Sequence, residues 1–164
     1  MQTQTITTSE YADKFFKQFS LYDCQRSIPH AIDGLKITQR KIIYSSTLYE
    51  TDKKVLNLVR TAARVAFDTD YHHGEVSIMD TIVKMAQDFT GKNNINLMIP
   101  DGQFGSILDT EASAPRYIHT RLSENFRKYF KKEDDAILIK QFSDNHQIEP
   151  KFYIPILPFI LING

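Results

Sequence analysis

The sequence predicts an α+β fold, with a mainly helical N-terminal half and short strands in the C-terminal half. Up to about residue 89, apolar residues recur at the three- and four-residue spacing of amphipathic helices. Beyond that point the apolar runs are short and are bounded by turn residues, as is typical of strands. Helices joined by short turns, in a set of three, form the skeleton of a helix-turn-helix or winged-helix module.

The first predicted helix begins at a capping box, in which Thr7 is the cap and Glu10 reaches back to it. We expect it to end before Pro29, because the residue preceding a proline avoids the helical region. Four aromatic residues form one apolar stripe along this helix: Tyr11, Phe15, Phe19 and Tyr22.

A turn at residues 32–36 leads into a second predicted helix, about residues 38–49. Helical spacing places some of its side chains inward and others outward. The inward residues are Ile42, Ile43 and Tyr49, and the outward residues are Arg40 and Lys41.

The third and fourth helices are predicted at about residues 53–67 and 75–89, and Gly91 ends the fourth. Arg60 and Arg64 lie one turn apart on the polar side of the third helix. Its apolar side carries Val55, Leu56, Val59, Ala62, Ala63, Ala66 and Phe67. The buried stripe of the fourth helix is Ile78, Ile82, Met85, Ala86 and Phe89.

The C-terminal half is predicted to contain short strands and one short helix. The strands are expected at about residues 95–99, 136–142 and 147–156. The helix, about residues 122–130, would place Phe126, Tyr129 and Phe130 on its apolar side, and residues 131–135 form a solvated turn.

Composition narrows the function classes. The 20 basic and 20 acidic residues balance, so whole-chain charge does not identify a nucleic-acid-binding protein. The region from Arg26 to Arg64 is nevertheless enriched in basic residues, which makes a basic face possible.

Cys24 is the only cysteine, so no internal disulfide can form. No signal peptide or membrane-spanning run is present, and we expect a soluble, intracellular protein located in the cytoplasm.

Arg116 and Tyr117 are the candidate catalytic residues. They stand in the segment 113–122, just after a glycine-rich turn at residues 101–106. A phenol, whose free pKa is about 10, can attack a phosphodiester once its proton is removed. A neighbouring arginine supplies a permanent positive charge where transition-state charge develops. The alternative is a core tyrosine beside an arginine that reaches the surface.

A second group of residues has the chemistry of phosphate contacts. His72 and His73 come just before the N-terminus of a predicted helix, where backbone N–H groups favour an anion. Buried, hydrogen-bonded histidines are the alternative, and the HExxH spacing of a zinc site is missing. Arg26, Lys36, Arg40 and Lys41 resemble a set of phosphate contacts that position a duplex without selecting its sequence. Solvated surface charges are the alternative for each of them.

At this point several motifs together resemble the type IIA DNA topoisomerases, in their breakage-reunion subunit or region. They are collinear from about residue 26 to the last residue, and their spelling is closer to eukaryotic and large-virus enzymes than to bacterial gyrase. The segments that carry the resemblance are 26–29, 33–36, 39–41, 71–75, 85–89, 93–97, 102–105, 113–118, 149–156 and 163–164.

The resemblance implies a winged-helix module that cleaves and religates DNA. Tyr117 would become linked to a 5′ phosphate, and Arg116 would stabilise the transition state. The implied DNA contacts are Lys36, Arg40, Lys41, His72 and His73, with Arg26 as a further one. Mg²⁺ and ATP would be bound by a metal-binding and ATPase (B-type) partner subunit or region, and this chain would hold no metal. The breakage-reunion subunit would be a homodimer that binds double-stranded DNA.

The predicted organisation is an N-terminal helix at residues 1–25 and a winged-helix module at residues 26–164, truncated before the tower and coiled-coil gate of the family. If Met1 is the natural start, the resemblance implies a split subunit, as in bacteria and some phages. The expected location is the cytoplasm, at a nucleoid or a viral replication site, or the host nucleus if the source is eukaryotic. A non-catalytic winged-helix DNA-binding module is the alternative function.

Overall fold

A computed structural model describes residues 5–50 and 55–163 of the chain. Helices dominate its first half. The α-helices are α1 (Thr8–Tyr11), α2 (Lys17–Ser27), α3 (Ile37–Leu48), α4 (Leu58–Asp68), α5 (Glu75–Ala86), α6 (Phe126–Tyr129) and α7 (Phe159–Ile162). A π-helical segment (Ala12–Phe16) joins α1 to α2, and a 3₁₀ turn (Lys132–Ala136) follows α6.

Short antiparallel strands complete the α+β fold. They are β1 (Leu56–Asn57), β2 (Met98–Asp101), β3 (His119–Leu122), β4 (Gln141–Ser143) and β5 (His146–Ile148). One sheet has the order β1-β3-β2, so β3 is its central strand. In this sheet His119 lies opposite Asn57 on one side and Asp101 on the other. The strands β4 and β5 form a separate hairpin.

The N-terminal helical run confirms the predicted helix and its capping box, in which the Thr7 hydroxyl accepts from the Glu10 backbone N–H. No residue of α1, α2 or the π-helical segment is buried. The predicted aromatic stripe therefore lies on the surface, with Phe19 66% exposed.

The inward prediction for α3 is confirmed for Ile42 and Ile43, which are fully buried. It is wrong for Tyr49, which follows the end of the helix and is exposed. The outward prediction is wrong for Arg40, which is only 4% exposed. Its charge is tolerated inside because the buried carboxylate of Asp33 pairs with it.

The helix α4 begins at Leu58, later than predicted, and residues 51–54 of the predicted helix lie outside the described residues. Leu56 and Asn57 pair with β3 instead of continuing the helix backwards. The Asn57 side chain then caps α4 by accepting from the Arg60 N–H at 3.0 Å. The buried face is consequently rotated from the predicted one: Leu58, Thr61, Ala62 and Val65 are buried, while Val59, Ala63 and Phe67 are exposed.

The helix α5 confirms four residues of the predicted stripe as buried: Ile78, Ile82, Met85 and Ala86. It ends at Ala86 because Gln87 adopts an extended conformation. The carbonyl groups left without helical partners are satisfied by two asparagine amides. Asn93 Nδ2 donates to Lys84 O and Gln87 O, and Asn96 Nδ2 donates to Ala86 O.

The C-terminal half is more irregular than predicted. The strand near residue 98 is confirmed with shifted bounds, and the two later strands shrink to β4 and β5. The predicted helix at 122–130 is reduced to α6, because residues 119–122 form the central strand β3. Phe126 and Phe130 are buried as predicted, and their rings stack 4.6 Å apart.

The last residues of the chain pack against early ones. Asp33 accepts from the Tyr153 backbone N–H at 2.9 Å. Gly34 has a φ of +66°, and a Cβ there would collide with the backbone of Phe159 and Ile160. Asn163 pairs with Ile95 in both directions, accepting from its N–H at 3.0 Å and donating to its carbonyl at 2.7 Å. In the part of the chain that the structure describes, no helix has the length and apolar character needed to cross a membrane.

Candidate functional site

Tyr117 lies at the entrance to the central strand β3. Its backbone N–H donates to Ala114 O at 2.9 Å, which closes a turn directly before the strand. The next residue, Ile118, is 1% exposed, and its carbonyl accepts from Leu58 N–H at 3.1 Å. With Ile118 anchored in the core, Tyr117 faces outward and is 70% exposed. The alternative of a core tyrosine is thereby excluded.

Backbone contacts hold this segment against the glycine-rich turn. Ser113 N–H donates to the backbone carbonyl and the side-chain oxygen of Gln103, at 3.0 and 3.1 Å. Gly105 has a φ of +98°, and a Cβ there would lie 2.8 Å from Thr110 O. Only glycine accommodates both the backbone angle and the close approach.

Gln87 ties this loop to the end of α5, a role that the sequence interpretation missed. Its buried side-chain amide donates to Phe104 O at 2.8 Å and to Thr110 O at 2.9 Å. Both ends of the loop between Phe104 and Thr110 are thus fixed to the helical core. No local pattern indicates this role, because Gln87 lies off the predicted apolar stripe and its two acceptors are 17 and 23 residues away in sequence.

Arg116 is exposed beside Tyr117. Its Cζ lies 6.0 Å from the centroid of the Tyr117 ring, at the limit of a cation–π contact. Within residues 5–50 and 55–163, no carboxylate lies within ion-pair distance of Arg116. The guanidinium group can therefore reach a phosphate next to the phenol oxygen.

His72 and His73 are exposed in the turn between α4 and α5. His72 Nε2 lies 3.4 Å from a carboxylate oxygen of Asp70, a residue with a φ of +49°. The Ser143 hydroxyl donates to the same carboxylate oxygen and, with His72 beside it, holds the pKa of Asp70 below its usual value. The alternative of buried histidines is excluded.

Lys36 and Arg26 are both on the surface. Lys36 is exposed at the start of α3, where its backbone N–H donates to Gln39 Oε1 at 2.8 Å. Arg26 pairs with Asp23 one turn earlier in α2 at 3.0 Å, and both side chains are about half exposed. Such an exposed pair is weak and can exchange its carboxylate for a phosphate.

Arg40 and Lys41 both pair with carboxylates of the protein itself, and their phosphate contacts stay a prediction. Arg40 donates to both carboxylate oxygens of Asp33, at 2.8 and 3.0 Å. Lys41 Nζ donates to Thr69 O at 2.6 Å and to Glu149 Oε2 at 3.0 Å. Burial raises the pKa of Glu149, and Lys41 partly offsets that effect. Both cations therefore contribute to the packing of α3 against the rest of the chain.

A metal site is not built from the described residues. In 5–50 and 55–163, no group of three or more His, Cys, Asp or Glu side chains is arranged to hold an ion. The family resemblance implies that Mg²⁺ is held by a partner subunit or region, and this stays a prediction.

Known proteins match this chain over nearly its whole length. A family model for the A subunit of DNA gyrase/topoisomerase IV matches residues 26–164. DNA topoisomerase 2 of Bombyx mori is 44% identical over 99% of this chain, and DNA topoisomerase 2-alpha of Homo sapiens is 43% identical over 99%. The chain spans only 11% of the length of either relative.

A solved structure agrees with the sequence matches. The crystal structure of the Plasmodium falciparum topoisomerase II DNA-binding, cleavage and re-ligation domain superimposes with a TM-score of 0.84 and is 40% identical. The match covers 94% of this chain and 21% of that chain. The α+β fold and the family resemblance are thereby confirmed. The chain belongs to the family formed by the A subunits of DNA gyrase and topoisomerase IV.

Proposed function

We propose that this chain is the DNA cleavage-religation module of a type IIA topoisomerase, an ATP-dependent enzyme that passes one duplex through another. The observation that carries the proposal is the exposed Arg116–Tyr117 pair, held at the entrance to β3 in a member of this family. A DNA-binding module without catalysis has no use for a nucleophile presented in this way.

The proposed reaction exchanges one phosphodiester for another. The phenol oxygen of Tyr117 loses its proton to solvent and attacks a backbone phosphorus. A bond forms between this oxygen and phosphorus, the bond from phosphorus to the 3′ oxygen breaks, and that oxygen takes up a proton from solvent. The DNA 5′ end is then linked to Tyr117 and the 3′ end is a free hydroxyl. The reverse step religates the strand without external energy, because the covalent link retains the ester.

Arg116 supplies the charge that this exchange requires. Negative charge builds up on the phosphate oxygens in the transition state, and a guanidinium group can donate two hydrogen bonds to them. Its position next to Tyr117 in sequence, on a segment fixed by Gln103 and Gln87, keeps the cation close to the attacking oxygen.

Four exposed side chains are proposed to hold the DNA backbone near the cleavage point: Arg26, Lys36, His72 and His73. Contacts of this kind fix the register of a duplex and carry no sequence information. Arg40 and Lys41 are omitted because their donors are engaged by Asp33, Glu149 and the Thr69 carbonyl.

The remaining components belong to other parts of the enzyme. We propose that Mg²⁺ and ATP are bound by a partner subunit or region and that the breakage-reunion part acts as a homodimer. Mg²⁺ would supply further charge neutralisation at the phosphate when bound. The module would act wherever its DNA is, in the cytoplasm or in a eukaryotic nucleus.

Covalent capture on a nicked duplex tests the proposal. The chain, with Mg²⁺ and a metal-binding partner subunit, is incubated with duplex labelled at the 3′ end of the cleaved strand and then denatured. We expect the label to remain on the protein, whereas a 5′-end label on the same strand does not, because Tyr117 bonds to the 5′ phosphate.

Two variants complete the design. Tyr117→Phe should abolish the labelled band and keep DNA binding, while Tyr11→Phe, an exposed tyrosine of the N-terminal helical run, should leave the band unchanged. DNA binding without any labelled band, in the presence of an active partner, would instead establish the non-catalytic module.

A further inference from the structure

The two adjacent histidines of the turn before α5 have different partners. The His73 ring nitrogen Nε2 lies 3.3 Å from the hydroxyl oxygen of Tyr22, which is on α2. His72 faces Asp70 instead. The contact to Tyr22 joins the N-terminal helical run to the turn across 51 residues of sequence.

A second aromatic side chain holds the His73 ring from another direction. The Tyr71 ring meets it edge to face, with centroids 5.4 Å apart and planes at 71°. Tyr71 is itself half-buried, and its hydroxyl hydrogen-bonds the Ser77 hydroxyl in the first turn of α5 at 3.3 Å. Two contacts thus hold the exposed His73 ring: the Tyr22 hydroxyl at Nε2 and the ring of Tyr71.

The contact at Nε2 bears on which ring nitrogen carries the proton. When a phenol donates to Nε2 of a neutral imidazole, the imidazole proton resides on Nδ1. Nδ1–H is then a donor whose tautomer and orientation are set before any ligand arrives. A DNA phosphate oxygen requires such a donor, since it can only accept hydrogen bonds.

We propose that Tyr22 is a positioning residue for His73: its hydroxyl donates to Nε2, fixes the Nδ1–H tautomer and orients that N–H toward a DNA phosphate. The DNA part of this inference rests on the proposed function above. The N-terminal helical run, which contributes no buried side chain to the core, then has a defined task at the DNA-binding surface.

The tautomer is tested in the free chain, without DNA. Ring ¹⁵N shifts are measured by NMR at about pH 8, above the ordinary histidine pKa near 6.5, and the His73 signals are identified from their loss in His73→Gln. We expect His73 to be protonated on Nδ1 in the parent chain and to move toward the tautomer mixture of free histidine in Tyr22→Phe. Tyr11→Phe is the matched control and should change nothing. Unchanged His73 shifts in Tyr22→Phe would overturn the proposal.

The consequence for DNA is measured with a nicked duplex under the same conditions. Loss of one hydrogen bond that orients a contact should weaken binding by about 2- to 5-fold in Tyr22→Phe. The same substitution in a His73→Gln background should have no further effect. Equal losses in both backgrounds would show that Tyr22 acts elsewhere and would overturn its positioning role. A parent chain that binds no DNA would count against the proposed function, while the ring ¹⁵N shifts would still decide whether Tyr22 sets the tautomer.

Discussion

The two cations of α3 and the single cation Arg116 have opposite surroundings. On α3, Arg40 and Lys41 are enclosed by Asp33, Glu149 and the Thr69 carbonyl. Arg116, in contrast, lies on the surface, beside the exposed phenol of Tyr117. A buried ion must be paired to be tolerated, whereas an exposed one can exchange water for a ligand. The difference between the cations of α3 and Arg116 therefore lies in whether the protein itself supplies their acceptors.

The Asp33 carboxylate shows how complete the enclosure is. It is fully buried and accepts from Leu35 N–H, from Arg40 Nε and Nη2, and from Tyr153 N–H, at 2.8 to 3.0 Å. Both carboxylate oxygens are occupied and the guanidinium group is paired. Removal of either Asp33 or Arg40 would therefore leave the other residue as an uncompensated buried charge. Substitutions at this pair should therefore lower the free energy of unfolding without removing a group that takes part in DNA cleavage.

The largest effect is expected from Arg40→Met, which breaks the buried pair while keeping an apolar side chain of similar length. We expect the free energy of unfolding to fall by about 3–5 kcal/mol, because Asp33 is left buried without its cation. Urea unfolding measures this loss. Lys36→Met, at the exposed start of the same helix, is the control and should change stability by less than about 0.5 kcal/mol. A loss below about 1 kcal/mol in Arg40→Met would contradict the structural role.

The converse result is expected at Arg116. Arg116→Ala should slow formation of the covalent DNA complex by about 10²- to 10³-fold, the usual cost of losing one preorganised charge-stabilising group. Because Arg116 is exposed and unpaired among the described residues, the urea midpoint should not change. Quenched single-turnover cleavage gives the rate. If Arg116→Ala instead lowered stability and left the cleavage rate unchanged, Arg116 would have the structural role expected of Arg40.

The smallest effect is expected from a substitution at an exposed apolar side chain. Comparing it with a buried one tests whether burial also separates the apolar residues. Phe19→Ala on the exposed aromatic stripe should change the free energy of unfolding by less than about 0.5 kcal/mol. Phe126→Ala in the core should cost about 3–5 kcal/mol, because the ring is 0% exposed and leaves a cavity. Parallel urea titrations of both variants measure the difference. Similar losses would show that the aromatic stripe is covered in solution.

Much of the helical half of the fold, and the segment that carries the candidate site, could be located from local pattern. The capping box at Thr7, the buried residues of α5 and the segment containing Tyr117 each depend on residues close together in sequence. Such signals survive folding because helical periodicity and cap chemistry are local.

Three failures involve partners that are distant in sequence. Helical spacing puts Arg40 outward, because nothing in the nearby sequence indicates that Asp33 is buried and bonded to the Tyr153 N–H. The start of α4 was misplaced because Leu56 pairs with Thr120 in the sheet. The role of Gln87 depends on the carbonyls of Phe104 and Thr110. Helical spacing specifies a face, and only tertiary contacts determine what covers it.

The close approach at Gly34 has a consequence for the order in which the protein can be made. The backbone of Phe159 and Ile160 packs where a Cβ of Gly34 would be, and Tyr153 donates to the neighbouring Asp33. These contacts join residues more than a hundred positions apart, and such long-range contacts slow folding. During synthesis, the N-terminal helices leave the ribosome long before their C-terminal partners exist. The Asp33–Arg40 pair must therefore stay incompletely covered until residues 153–160 have been translated.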